Sequence, residues 1–389
     1  MNSIRRIGRI AWRECGIWMR HPIYLFCMVL FPILVVFFFT SMLAEGTPTE
    51  LPCGIVDSDN TPTTRALIRK LDGFQSTYVV AHYPQVSDAR KAIQRGEIYA
   101  FMYIPKGTTS NMLASRQPTV SFYYSNVTLL AGGMLYRDLK TIGTLGSAAI
   151  GSAKLSATGK SEGEIRAFLQ PIAIDLHMIG NPWSNYNVYL STMMIPGILI
   201  LFIFLITVYS IGTELKFNRS KQWIQAAGGN IAVALTSKLL PHFIIFTTIM
   251  FGYLFYQFYI LGFPHPGGLL KILMLGVLTV LAAEGFGVFV FGLMPSLRLS
   301  MSVCSLWAVL GFSISGATYP VFAMNPMIEG LSWLFPLRHY YMVYQIGIFN
   351  GYPIYDAWLN VTSLVAFALL PLLTAKRIKK AMLEYVYIP

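Results

Sequence analysis

The string Lys-Leu-Ser-Ala-Thr-Gly-Lys-Ser at residues 154–161 ends like a loop that cradles phosphate. Such a loop needs a glycine five residues before its last one, so that backbone N–H groups can close on the phosphate oxygens. Lys154 stands at that place, and no apolar strand leads into it. Hydrolytic chemistry finds no support either, since neither His-Glu-x-x-His nor Gly-x-Ser-x-Gly occurs and the six histidines lack ligand spacing. The four cysteines, Cys15, Cys27, Cys53 and Cys304, lack metal-site spacing too. Only Cys53 falls in a polar stretch, so a disulfide framework is not expected.

Two isolated carboxylates are left. Glu284 lies in the middle of the apolar run LTVLAAEGFGVFVFG. A lone carboxylate in hydrocarbon is costly, so it must face a helix bundle, water or a partner. Its neighbours Ala283, Gly285 and Gly287 permit close helix packing. Glu284 therefore either lines a path for polar or cationic cargo or is a structural, hydrogen-bonded or neutral group. Glu14 lies among Arg9, Arg13 and Arg20, none of them three or four residues away. No well-placed helical pair is available to it, so by its own surroundings it reads as a solvated surface acid.

The elements that carry these residues follow from composition. Hydrophobic residues make up 55% of the chain and charged ones only 12%, against about 25% charged in soluble domains. Mean hydropathy is +0.56. Six apolar runs, at 23–43, 190–211, 239–262, 270–293, 301–320 and 355–375, each approach the roughly 20 helical residues that cover a ~30 Å hydrocarbon core. The first run is too long for the apolar region of a cleavable signal, and Pro32 predicts a kink in it. Residues 1–22 mix Ile4, Ile7, Ile10, Trp12 and Trp18 with arginines, as suits an interfacial helix.

Residues 44–188 change character. LPCGIVDSD and IYAFMYIP read as strands, while TPTTRALIRKLDG and SDARKAIQRGE read as helices with Thr61 or Thr63 and Ser87 as caps. Strand–helix–strand alternation predicts an inserted α/β domain. A helical, Ala/Gly/Ser-rich arm follows it over about 128–170. Residues 321–354 are too broken by Asn325, Pro326, Pro336 and Pro353 for a clean span, and their aromatics suit an interfacial or re-entrant segment. The expected fold is an α-helical polytopic membrane protein of six spans with an extracytoplasmic α/β domain and a tail at 376–389.

Charge gives the expected orientation. With the N-terminus inside, the cytoplasmic segments hold Arg5, Arg6, Arg9, Arg13 and Arg20, then Lys216, Arg219, Lys221, Lys238 and Arg298. The tail adds Lys376, Arg377, Lys379 and Lys380, whereas the short external segments carry only Lys271 and Arg338. This is the positive-inside pattern of a multi-pass protein with both termini cytoplasmic. The net charge of +12 is thus accounted for by anionic membrane lipid, with no nucleic-acid partner required.

Several strings, taken in order, resemble the permeases of the type-2 exporter family of ABC transporters, in the group with a large domain between spans 1 and 2. IRRIGRIAWRECGIWMRHPIYLFCMVLFPIL is similar to the family's leading cytoplasmic helix, with its cation–Glu pair at Arg13-Glu14 and its cation-x-Pro step at Arg20-His21-Pro22. CGIVDSDNTPTTRALIRKLDG and DARKAIQRGEIYAFMYIPKG resemble the external domain. GTELKFNRSKQWIQAAGGNIAVALTSKLLPH resembles the cytoplasmic loop before span 3, and SISGATYPVFAMNPMIEGLSWLFPLRHY the re-entrant segment. One departure stands before Gly212-Thr213, where Val208-Tyr209-Ser210-Ile211 replaces an acidic–basic run common in the family.

The resemblance implies an exporter permease of a bacterial cytoplasmic (inner) membrane. It would bind no cofactor itself and draw on ATP used by a separate ABC ATP-binding subunit. Glu14, Arg20, Glu214, Lys216, Arg219, Lys221 and Trp223 are then expected to dock that subunit. Glu284 would line the translocation path, and Pro320, Pro326, Trp333, Pro336 and Arg338 would form an external gate. A second permease chain, identical or sister, completes the pathway, and a periplasmic adaptor is a further expected partner. The implied cargo is an amphiphilic or hydrophobic small molecule or lipid-like compound, multidrug substrates included. The alternative is a membrane-anchored sensor or scaffold with an external ligand-binding domain.

Overall fold

The computed structural model describes residues 3–114, 116–178, 180–181 and 183–387. The chain forms two compact units, one of residues 1–44 and 178–389 and one of residues 45–177.

The smaller unit is the expected α/β domain. Its strands β1 (Leu51–Asp57), β2 (Thr77–His82), β3 (Ala100–Ile104) and β4 (Ser121–Tyr124) lie in the order β2-β1-β3-β4. β1 runs parallel to β2 and β3, while β4 is antiparallel to β3. Helices Pro62–Asp72 and Val86–Gln94 make the two crossovers. Because successive side chains of a strand face opposite ways, Cys53, Ile55, Met102 and Ile104 pack with Leu71, Leu135 and Leu139 on one face. Val56 and Phe101 pack with Ala89, Ala92 and Ile98 on the other. Burial on both faces explains why β1 reads as a short apolar run rather than an alternation. Burial also pushes the Cys53 thiol up to about 12.

Thr61 caps its helix through a reciprocal pair with Thr64. Ser87 does not cap the next helix, which begins at Val86 with Gln85 before it. β2 and β4 are additional to the two predicted strands. The phosphate-loop look-alike resolves into ordinary helix punctuation. Lys154 lies on helix Leu129–Ala157, Gly159 turns the chain at φ +81°, and Ser161 caps helix Glu162–Leu169.

The larger unit contains six helices long and apolar enough to cross a membrane among the described residues: Pro22–Met42, Tyr186–Lys216, Ile231–Ile260, Leu269–Leu293, Leu297–Ile314 and Ile354–Glu384. Spans 2 and 4 have 67% of their most apolar window buried, against 33% or less for the others, so these two form the centre of the bundle. Spans 2 and 3 begin earlier than their apolar runs because Asn185 and Asn230 accept hydrogen bonds from the first free N–H groups and extend each helix into polar residues. Span 1 carries a π-helical turn at Phe26–Leu30 just before Pro32, where a kink was predicted. Span 5 ends before Gly316 (φ +99°), short of the expected residue 320. The expected tail is helical as far as Glu384 and buries Ile378, Ala381 and Met382. The inserted unit closes at residue 177 rather than 188, since Asn181 already hydrogen-bonds Asn185 at the head of span 2.

Span 4 fits at the centre because glycine lets backbones approach. A Cβ on Gly285 would overlap the carbonyl of Phe367 in span 6, and one on Gly292 would overlap Thr374. A Cβ on Gly287 would come 3.1 Å from Thr207 in span 2. Gly285→Leu and Gly292→Leu are therefore expected to destabilise the bundle by at least the ~1–3 kcal/mol of overpacking. Gly252→Leu, at an exposed site with open space, should be neutral. Melting temperature and monodispersity on size-exclusion chromatography distinguish them. In the folded chain Cys53 should resist alkylation at about pH 8 and react after denaturation, which mass spectrometry of labelled peptides checks.

Candidate functional site

The helix Ser3–Arg20 buries Ile10, Glu14 and Trp18, spaced four apart on one face, and packs that face on span 3. Ile4, Trp12 and Met19 are exposed, which leaves apolar groups for a membrane interface. Glu14 is therefore not a solvated acid. It is 1% exposed and meets partners remote in sequence.

Four charges close into one cluster. Lys238, near the start of span 3, donates to Glu14 Oε2 at 2.7 Å and to Glu214 Oε1, at the end of span 2, at 2.8 Å. Arg13 donates through Nη2 to Glu14 Oε1 at 2.6 Å and to Glu214 Oε1 at 2.7 Å. Glu14, Glu214 and Lys238 are each 1% exposed, whereas the Arg13 side chain keeps 35%. Two carboxylates and two cations balance, which is the condition for holding charge out of water. Burial works against the Arg13 charge, but Glu214 and Glu14 outweigh it and raise its pKa above the ordinary guanidinium value. Lys238 Nζ also lies 5.3 Å from the Trp223 ring. One turn along span 3, His242 packs 4.6 Å from Trp18.

The loop between spans 2 and 3 is folded over this cluster. Helix Ser220–Ala226 buries Ser220, Trp223 and Ile224. Gly228 (φ +72°) meets Arg6 so closely that a Cβ there would overlap the guanidinium. Outward, the same loop exposes Lys216, Phe217, Asn218 and Lys221, while Arg219 is partly buried. The Phe217 ring has Lys216 Nζ at 5.7 Å and the Arg219 guanidinium at 5.2 Å from its centre.

The seven expected docking residues thus divide. Arg20, Lys216 and Lys221 are exposed, Arg219 is intermediate, and Glu14, Glu214 and Trp223 lie beneath the surface. Sequence reasoning missed the role of Lys238, counted only as an inside-facing cation. The helix of span 3 begins at Ile231, ahead of the apolar run at 239–262, and so takes Lys238 into the span, where a lysine needs a counter-charge.

Glu284 is 5% exposed in span 4, and its Oε1 has no hydrogen-bond partner within the described chain. The same holds for Thr207 and Ser210 of span 2, both His242 nitrogens, the Gln257 amide, and the hydroxyls of Tyr340 and Tyr344. Buried polar groups are rarely left so, and the inside of the bundle is correspondingly polar for a membrane protein.

The segment 321–354 folds into short helices. Pro326–Ser332 exposes Met327, Ile328 and Leu331, and Pro336–Val343 is buried along nearly its whole length. Arg338 hydrogen-bonds Ser332 and lies 5.2 Å from the Trp333 ring. His339 bridges the Trp333 carbonyl at 2.8 Å and Asn360 of span 6 at 2.9 Å. Trp307 of span 5 stacks 4.6 Å from Phe335 and donates to the Leu334 carbonyl. Pro320 and Pro326 are exposed, Trp333 is 37% exposed, and Pro336 and Arg338 are buried against the spans.

A family model described as "ABC-2 family transporter protein" matches residues 22–375. Among curated proteins none matches the chain.

Removing one partner of a buried charge network leaves another charge uncompensated, at a cost of about 3–5 kcal/mol. Lys238→Met should therefore unfold or strongly destabilise the membrane unit. Lys238→Met combined with Glu14→Gln should recover part of the loss, because net charge is restored. Melting of the four members of this double-mutant cycle measures the coupling, and strict additivity would refute a shared cluster.

Proposed function

Because the chain belongs to the ABC-2 family of transporter proteins, we propose that it is the permease half of an ATP-driven exporter, coupled to its motor through the buried charge cluster. The supporting observation is that Arg13, Glu14, Glu214 and Lys238 tie the N-terminal helix, the end of span 2 and the start of span 3 into one unit. The loop 217–230 lies on that unit. A separate ATP-binding subunit seated on the exposed Lys216, Phe217, Lys221 and Arg20 would push on a rigid block rather than on a loose loop. Glu14, Glu214 and Trp223 then serve docking from behind, by holding the surface in shape. Rigid-body motion of spans 2 and 3 would follow ATP binding by the partner.

The chain is a multi-pass membrane protein. The cationic ends favour both termini in the cytoplasm and residues 45–177 outside, and the family resemblance favours a bacterial inner membrane. Two permease chains, identical or sister, would enclose the path. Glu284 and the unmatched hydroxyls and amide of the bundle would supply its polar lining, and the block 320–338 would cover its outer end. An amphiphilic or lipid-like cargo, multidrug compounds included, suits a route entered from the bilayer. A periplasmic adaptor would meet the inserted domain.

Phe217→Ala with Lys221→Glu is expected to weaken co-purification of the ATP-binding subunit with the full-length chain by about tenfold or more. Two exposed contacts worth about 1 kcal/mol each would account for that loss. Melting of the permease alone should not change, since neither side chain is buried. Undiminished co-purification would remove the loop from the docking surface. ATP hydrolysis by the purified chain alone would defeat the separate motor.

A further inference from the structure

The inserted domain contains a cavity of about 940 Å³, near the top of the ~300–1,000 Å³ range of small-molecule sites. All of its lining comes from residues 62–154, within the one compact unit. The floor is apolar and buried: Met102 and Ile104 of β3 and Ile142 of the helix Leu129–Ala157. Leu67 of helix Pro62–Asp72 and Phe122 of β4 complete the walls.

Glycine shapes this cavity. The long helix presents Gly143 and Gly146 to it, and a Cβ there would come 3.4 Å from Phe122 and 3.2 Å from Leu67. Larger residues at these places would fill the groove between helix and sheet. The Ala/Gly/Ser bias of the arm thus has a structural use beyond lightness.

Among the described residues the charges of the lining are all of one sign: Lys70, Arg116 and Lys154 contribute to it, and no aspartate or glutamate does. All three cations are solvent-exposed, while the apolar floor is buried. The unit as a whole is close to neutral, which makes this segregation a local property. An apolar trough with exposed cations in its lining complements one ligand chemistry: a hydrocarbon tail carrying an anionic head.

We propose that the inserted domain binds a single-chain anionic amphiphile, its tail lying along the half-buried Leu67, Phe122 and Ile150 and its carboxylate or phosphate head at Lys70 and Arg116. The proposal does not depend on the exporter reading, and it gives the domain a ligand site of its own. A ligand held there would be shielded from water along its tail while its head remains at the exposed cations.

The test uses the full-length chain in nanodiscs of zwitterionic lipid and a diazirine-bearing fatty acid as the probe. Photolysis should label peptides spanning 62–70, 102–122 and 142–154. Unlabelled fatty acids should compete about fourfold better per added methylene, until the cavity is full. A lysophosphatidate arm tells phosphate from carboxylate heads, and an alkyl trimethylammonium of equal length should not compete. Lys70→Glu with Arg116→Glu should lower labelling by about tenfold. Ala149→Trp, which fills the groove, should abolish labelling in a protein of unchanged melting temperature. Labelling confined to the membrane spans would overturn the proposal, as would competition indifferent to head charge. A Ser147→Cys chain that cross-links to a second copy and is never labelled would also overturn it, because the occupant would then be protein.

Discussion

Taking a carboxylate out of water costs several kcal/mol, and the cost is offset only by near-ideal pairing. Glu14 and Glu214 are both 1% exposed, so the positions of Arg13 and Lys238 are fixed by necessity. The N-terminal helix cannot slide along span 3 without stripping Glu14 of Lys238. Span 2 cannot turn without moving Glu214 away from both cations. A buried ionic network adds little net stability compared with apolar packing. Its effect is to select one arrangement of three helices from many that grease alone would permit.

Around that fixed point the bundle is built for contact rather than for greasiness. Lipid tails are as apolar as leucine, so helices in a membrane gain little from hydrophobicity and associate through close packing and polar contacts. Gly276, Gly285, Gly287 and Gly292 let span 4 approach spans 2, 3 and 6. Gly197 of span 2 similarly receives Phe312 and Leu337. The block 336–349 can then sit among the spans, held by His339 between Trp333 and Asn360. Spans 2 and 4 carry Thr207, Ser210 and Glu284 inside this packed centre. Motion of the bundle would therefore carry polar groups with it.

The inserted domain follows different physics. It is a small α/β fold with two apolar clusters on either side of a four-stranded sheet. Asp57 and Asp59 organise its loops. Asp57 accepts from the N–H groups of Asp59 and Asn60, and Asp59 from those of Gly107 and Thr109. These hydrogen bonds, that of Thr109 foremost, hold the Asp59 carboxyl below its usual range. The turn is thereby tied to the strand–helix junction after β3, beside one end of the cavity.

Membrane class, six spans and the presence of an α/β insert were legible in the chain itself, because solvent preference and strand–helix alternation are properties of local windows. So was the capped helix at Thr61, which depends on residues a few places apart. Span limits were less so: Asn185 and Asn230 lengthen helices through side-chain caps that an apolar window does not weigh. What only the folded chain decided is which charges meet. Arg13 and Glu214 are separated by 201 residues and Glu14 and Lys238 by 224, and no periodicity links them. Coulomb attraction acts through space, so the pairing exists only once three helices from distant parts of the chain have been brought together. The cavity lined by Lys70, Arg116 and Lys154 is of the same kind, for a hollow is made by what surrounds it and has no residue of its own in the sequence.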